Sequence, residues 1–224
     1  MSPLTIVMAI ILGLYCAILI IWLIWAFLTS LKDPNDFLGN KYGLPDPWYF
    51  DNFSYVLHEY KVEKLIDGVK TVISTGDMIM NSILYSVGSA FVATLVPCIT
   101  AYLCARYKYK FSKIVYGTVL VCMVVPIVGS QASELQVVIR MGIYDHMFGM
   151  WILKSGFLGL YFLVFHEVFS SIPDAYSEAA EIDGASDFCI MTRISMPLAK
   201  NTFFTVLLIM FVTYWNDFQT PMLY

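Results

Sequence analysis

Long apolar runs alternate with short polar ones along this chain. A segment that crosses a bilayer needs about 20 apolar residues, because no water is present there to satisfy its backbone. The first such run covers residues 4–28 and carries no charge. It lacks the basic start and small-residue cleavage site of a signal peptide, so it reads as a first spanning helix. The second run covers 78–105 and contains Pro97. The third covers 114–128, contains Pro126, and turns polar through Gly129-Ser130-Gln131-Ala132-Ser133-Glu134, a tail that bends out of the lipid or faces a cavity. The fourth covers 148–169, weakened at its start by Lys154-Ser155-Gly156. The fifth covers 202–220, with Trp215 at an interfacial position. The pattern predicts an all-α, polytopic membrane bundle with five spans.

Charge orients the spans. Arg106, Lys108, Lys110 and Lys113 crowd the short link between the second and third runs, with no acid among them. Positive charge in short loops marks the cytoplasmic side. Alternation then puts the amino terminus inside, the segment 30–77 and the turn 140–150 outside, and the segment 173–201 inside. The outer segment mixes Pro, Gly, Asn and aromatics, including Pro45-Asp46-Pro47-Trp48-Tyr49-Phe50, and reads as a small folded cap or loop.

Composition agrees with a membrane protein: 59% of residues are hydrophobic and only 13% charged. The net charge of −4 and the absence of a basic patch interleaved with aromatics argue against nucleic acid. Cys16, Cys98, Cys104, Cys122 and Cys189 are scattered without metal-ligand spacing and read as free, mostly buried thiols. His166-Glu167 is the one local acid–imidazole pair, at the end of a span, where packing is favoured over chemistry.

The polar stretch 173–200 stands out between two apolar runs. Ser170-Ser171, then Pro173 and Asp174, offer a hydroxyl cap, an early proline and an acid at a helix start. Ala175 and Ala179 share a face, with Ala180 beside them, and small side chains allow another helix to approach closely. Glu178, Glu181 and Asp183 are acids available to a basic partner. Gly184 can take the left-handed conformation that ends a helix. A second short helix over about 186–194 follows, and Pro197 resets the chain before the last run. On these grounds alone, a docking surface and a solvated connector are equally supported.

The spacing here resembles the EAA loop of binding-protein-dependent ABC importer permeases. Glu178-Ala179-Ala180 is followed by three residues and Gly184; nine residues later comes Ile194, then Ser195-Met196-Pro197. The departure is Met196, where the pattern has Leu. Ile182-Asp183-Gly184-Ala185 is similar to the carbohydrate branch, the subunit like the maltose permease G protein. Further matches are Thr29-Ser30-Leu31-Lys32, Asp51-Asn52-Phe53, Asn81-Ser82, Ala101-Tyr102, Arg106-Tyr107, Trp215-Asn216-Asp217-Phe218 and Pro221, so the resemblance covers nearly the whole chain.

The resemblance implies a single permease domain over 1–224, with an extracytoplasmic segment at 30–77 and a cytoplasmic EAA loop at 173–200. Such permeases have six spans, so a last span is expected beyond the five read here. The implied function is a permease subunit of an ATP-driven importer for a sugar or oligosaccharide, in a bacterial or archaeal plasma membrane. No covalent chemistry is implied. The implied partners are a second permease subunit, two cytoplasmic P-loop ATPases that hold ATP and Mg, and an extracytoplasmic sugar-binding protein; no cofactor is expected on this chain. Consistent with that division, the Gly-x-Lys-Thr at 68–71 lacks the upstream glycine of a P-loop. Glu178, Ala179, Ala180, Gly184, Asp183 and Pro197 are the residues expected to couple to the ATPase. Asn81, Ser82, Asn216 and Asp217 are candidates to line the pore, since polar groups within spans are usually functional or interhelical.

The rivals are a permease of the same class for amino acids, peptides or phosphate, a membrane-embedded enzyme, and a channel or receptor. An enzyme would have to be built on His166-Glu167, and a channel leaves the loop pattern unexplained.

Overall fold

The computed structural model describes residues 2–66, 69–107, 109–125 and 129–224; Gly68, Lys108 and Pro126 lie outside the described residues. The chain forms two compact units, Met1–Ile79 and Met80–Tyr224.

In the first unit, helix α1 (Pro3–Ser30) starts at Ser2, whose hydroxyl accepts the Thr5 N–H. Its end is held by side chains from the segment that follows. Asn52 Nδ2 donates to the carbonyls of Ser30 and Lys32 at 3.0 and 2.8 Å, and Tyr49 N–H donates to Leu31 O at 2.9 Å. These bonds satisfy carbonyls that a helix end leaves without partners. Leu31 and Lys32 are buried, and the Lys32 ammonium donates to the Asn40 carbonyl. Two short helices follow, α2 (Pro34–Gly39) and α3 (Asp51–His58). The all-α expectation misses one element here: strands β1 (Lys61–Ile66) and β2 (Val69–Ser74) pair antiparallel, Lys61 opposite Ser74. Val62, Val72 and Ile73 supply the β-branched residues such a hairpin favours.

The second unit is built around helix α4 (Thr75–Arg106), of which residues from 80 onward belong to it. Ser86, Ser89, Ala90, Ala93, Thr94, Pro97, Cys98 and Ala101 are buried at helical spacing. This stripe of small side chains lets neighbouring segments approach closely. Ser86 and Thr94 donate their hydroxyls to the carbonyls of Ser82 and Ala90 one turn back, so they add no unsatisfied group to an apolar site. Gly88 faces the Trp151 ring. The core combines Cys98, Ala101 and Tyr102 of α4 with Val119, Phe162, Phe165, Phe169, Ala199 and Val206.

Three predicted spans differ in detail. The third run forms α5 (Lys110–Val124), after which Val125 is extended, as a residue before proline prefers. Its polar tail becomes a separate helix, α6 (Gln131–Arg140), entered through Gly129 with φ +80°. The fourth run is α7 (Met147–Leu153) and α8 (Leu160–Ser170), separated by non-helical residues 154–159. The break falls where Lys154 leaves the apolar run to pair with Asp217.

After α8 come α9 (Ala175–Ile182), α10 (Asp187–Ile190), a π-helical segment over Met191–Ser195, and α11 (Met196–Leu198). Pro197 thus lies within helix, where the reading from sequence expects a reset. The bend falls just beyond it: Asp187–Leu198 meets α12 (Lys200–Trp215) at 74°. The predicted fifth span also ends early. Asp217 Oδ1 accepts the N–H groups of Gln219 and Thr220 at 3.1 Å each, local bonds that compete with helix continuation. A last helix, α13 (Gln219–Leu223), follows. Among the described residues, α1 and α4 are long and apolar enough to cross a membrane, and the bent pair ending in α12 passes the same test only when its two arms are taken together as one span.

Candidate functional site

Two sites gather polar residues in the second unit: the segment after α8, and a network at the far end of α12.

In the first, α9 ends as its sequence dictates. Gly184 has φ +81°, a region costly for side chains with a Cβ. The Gly184 N–H donates to Glu181 O at 3.0 Å, and the Ala185 N–H reaches back to Ala180 O at 2.9 Å. This pair of bonds is a Schellman closure, which satisfies the last carbonyls of α9 while turning the chain. Ser186 then caps α10 by accepting the Cys189 N–H at 3.4 Å. At the other end of α9 the expected hydroxyl cap is absent. Ser171 donates back to Val168 O, and Asp174, at the cap position, makes no capping bond with its side chain.

The Asp174 carboxylate instead accepts Arg106 Nη1 at 3.1 Å, and Glu181 accepts Arg106 Nη2 at 2.8 Å. The Arg106 side chain is only 20% exposed. Asp174 and Glu181 are seven residues apart, two helical turns, and so share one face of α9. Beside Arg106, burial raises the Tyr107 phenol above its ordinary pKa, and the Asp187 carboxylate adds to the shift.

Ser177 is the buried residue of α9. Glu178, Ala179, Asp183, Gly184 and Pro197 are exposed, and Ala180 is half-buried. Ile182 and Phe188, on either side of the glycine turn, are 87% and 70% exposed. The reading from sequence named Ile182 only within the Ile-Asp-Gly-Ala pattern and did not name Phe188; an isoleucine and a phenylalanine within a polar stretch were the signal. Met196, the departure from the motif, lies with its sulfur 3.6 Å from Cys98 Sγ, so this variation is accommodated in the core.

In the second site, Asp217 Oδ2 accepts the Tyr85 hydroxyl at 2.7 Å and the Thr220 hydroxyl at 2.7 Å, and lies 3.4 Å from Lys154 Nζ. Lys154 also donates to Thr220 Oγ1 at 2.8 Å and sits 5.4 Å from the Tyr214 ring centre. Asn81, Ser82, Tyr85, Tyr214, Trp215 and Asp217 are among the residues lining a cavity of about 350 Å³. The structure thus brings together three of the four pore candidates. Asn216 is not among the lining residues and donates to Val212 O of its own helix at 2.7 Å. His166 packs against Tyr116, ring centres 4.8 Å apart.

Comparisons with known proteins agree with this architecture. The chain is 24% identical over 209 residues to the diacetylchitobiose uptake system permease protein NgcG of Streptomyces coelicolor, covering 93% of this chain and 65% of that protein. It is 28% identical over 193 residues to the melibiose/raffinose/stachyose import permease protein MelC of Bacillus subtilis, covering 85% of this chain and 65% of that one. The chain therefore spans just under two thirds of the length of these relatives. Its fold matches a solved bacterial ABC transporter involved in the import of the acidic polysaccharide alginate, with TM-score 0.75 and 24% identity, over 96% of this chain and 71% of that chain. Residues 93–222, more than half of the sequence, match the description "binding-protein-dependent transport system inner membrane component". A helical, apolar chain with this fold, these relatives and this match belongs to the family of binding-protein-dependent transport system inner membrane components, which are membrane transport proteins and not enzymes.

Proposed function

We propose that this chain is a permease subunit of an ATP-driven importer for a sugar or oligosaccharide, and that its segment 173–200 docks on a cytoplasmic ATPase. The observation that carries the reading is the helix–glycine–helix of α9 and α10. It is closed by its own backbone bonds, yet it leaves Ile182 and Phe188 uncovered on a polar stretch. Large apolar side chains at that exposure gain by burial against a partner, at about 25 cal/mol per Å².

In this reading Glu178, Ala179, Ala180, Asp183 and Gly184 form the contact surface, and Pro197 lies at its root. The alanines permit close approach, Gly184 sets the turn, and Glu178 offers an acid to a basic partner. ATP and Mg belong to two P-loop subunits. A second permease subunit completes the pore, and an extracytoplasmic binding protein delivers the solute. The positive charge of the link after α4 supports a cytoplasmic side for that link, the amino terminus and the segment 173–200. Closure of the ATPases would shift the spans between discrete packings, a rigid-body transition. The cavity that Asn81, Ser82 and Asp217 help to line would form part of the solute path. The saccharides named for NgcG and MelC support a carbohydrate as solute.

The test is purification of the tagged full-length gene product from its own cells in mild detergent, with co-purifying polypeptides identified by mass spectrometry. The expected result is a P-loop ATPase together with a second polytopic permease. Recovery of the folded chain alone would overturn the reading.

A further inference from the structure

We infer that Arg106 is a positioning residue that makes α9 move with α4 as one body. This inference rests on the coupling reading of 173–200 and adds the element through which motion would pass. Arg106 is the last residue of α4, the long helix that contributes Cys98, Ala101 and Tyr102 to the core. Its guanidinium bonds one carboxylate at the start of α9 and another in its last turn. Two bonds two turns apart fix both the position of α9 and its rotation about its own axis, which a single bond leaves free. The fork geometry is what arginine provides and lysine does not.

The Arg106 side chain is four-fifths buried while its two acids are about half exposed. The arginine is therefore the fixed end and α9 the part held. Tyr107, the next residue, faces Asp187 at the start of α10. The dipeptide at the end of α4 thus addresses both helices flanking the Gly184 turn. Phe169, just before the segment, stacks edge-on against Tyr102 at 5.3 Å, and Met196, near the segment's far end, meets Cys98. α4 holds the segment at both ends as well as through Arg106.

The experiment measures the distance between nitroxide labels at Leu103 and Tyr176, both exposed, in the full-length gene product in lipid nanodiscs with its co-purifying subunits. Cys16, Cys104, Cys122 and Cys189 are replaced by serine, and the fully buried Cys98 is kept. The expected result is a narrow distance distribution that does not change between the nucleotide-free state and the state trapped with ATP and vanadate. Asp174→Asn with Glu181→Gln, two changes at exposed positions that spare the core, should broaden and lengthen it. Arg106→Lys should give an intermediate width. Arg106→Glu should broaden it, and adding Glu181→Arg should narrow it again, a rescue that a merely space-filling role does not predict. A narrow distribution in the neutralised double variant, or a wild-type distance that shifts on trapping, would overturn the inference. The wild-type and variant widths can be read without any ATPase. Absence of an ATPase from the purified material would therefore strike the coupling reading alone, and a broad wild-type distribution the clamp alone.

Discussion

At the scale of single residues, Gly184 separates two roles that glycine can play. A Cβ built there meets nothing within 4 Å, so space is not the constraint; the φ of +81° is. Gly184→Val should cost about 1–2 kcal/mol from left-handed strain alone, and Gly184→Asn less, because asparagine tolerates that region. Both variants should insert and fold, and the valine variant should lose solute uptake while retaining ATP hydrolysis in the purified complex. Normal uptake by Gly184→Val would show that the turn does not matter for coupling. The spacing from Glu178 to Gly184 and on to Pro197 was legible in the sequence because it is local: a helix end and its glycine are neighbours in the chain. Arg106 was legible as a positive charge and within the Arg106-Tyr107 match, but not as a partner of α9. Its partners lie 68 and 75 residues away, and no local pattern specifies such a pairing.

At the scale of elements, the helices of the second unit pack according to how small their facing residues are. The Trp151 ring lies 2.2–2.5 Å from where a Cβ on Gly88 would sit. Gly88→Ala must therefore push the indole away and should lower the thermal midpoint, and Trp151→Ala should cost less in that background than in the wild type. Gly117, on α5, has open space around it. There the same substitution should raise stability by up to about 1 kcal/mol, the helix propensity gained. Thermal unfolding in detergent distinguishes the two positions. The existence of most helices was legible from apolar run length, but their breaks were not. The run over 148–169 is interrupted because Lys154 has an acid to reach. The hairpin of β1 and β2 was read only as a cap or loop, since a six-residue strand carries a weaker periodic signal than a spanning helix.

At the scale of the whole molecule, Lys154 and Asp217 tie together α4, the break before α8 and the end of α12 through Tyr85 and Thr220. Both are less than a quarter exposed, so each needs the other. Asp217→Ala leaves the Lys154 ammonium with the Thr220 hydroxyl, and should cost about 3 kcal/mol, the low end for an uncompensated buried charge. Lys154→Met leaves Asp217 its hydroxyl and amide donors and should cost about 1.5–3 kcal/mol, the worth of hydrogen bonds to a charged group. The double variant should lose less than the sum, measured as thermal midpoints of the purified complex. Of this network the sequence disclosed Asp217 and its neighbours on the spans. Lys154 was visible as a lone lysine in an apolar run, but its acid lies 63 positions further on, beyond any periodicity.

The 74° bend between Asp187–Leu198 and α12 has a mechanical meaning. A displacement along the axis of the first arm projects onto α12 as cos 74°, about 0.28 of its length, and across α12 as sin 74°, about 0.96. The elbow is therefore a poor piston and a good crank. A push delivered along the first arm would slide α12 little along its own axis and swing its Lys200 end sideways almost one for one. Met196 and Asp217 are both tied to α4, so that swing would carry α4 with it.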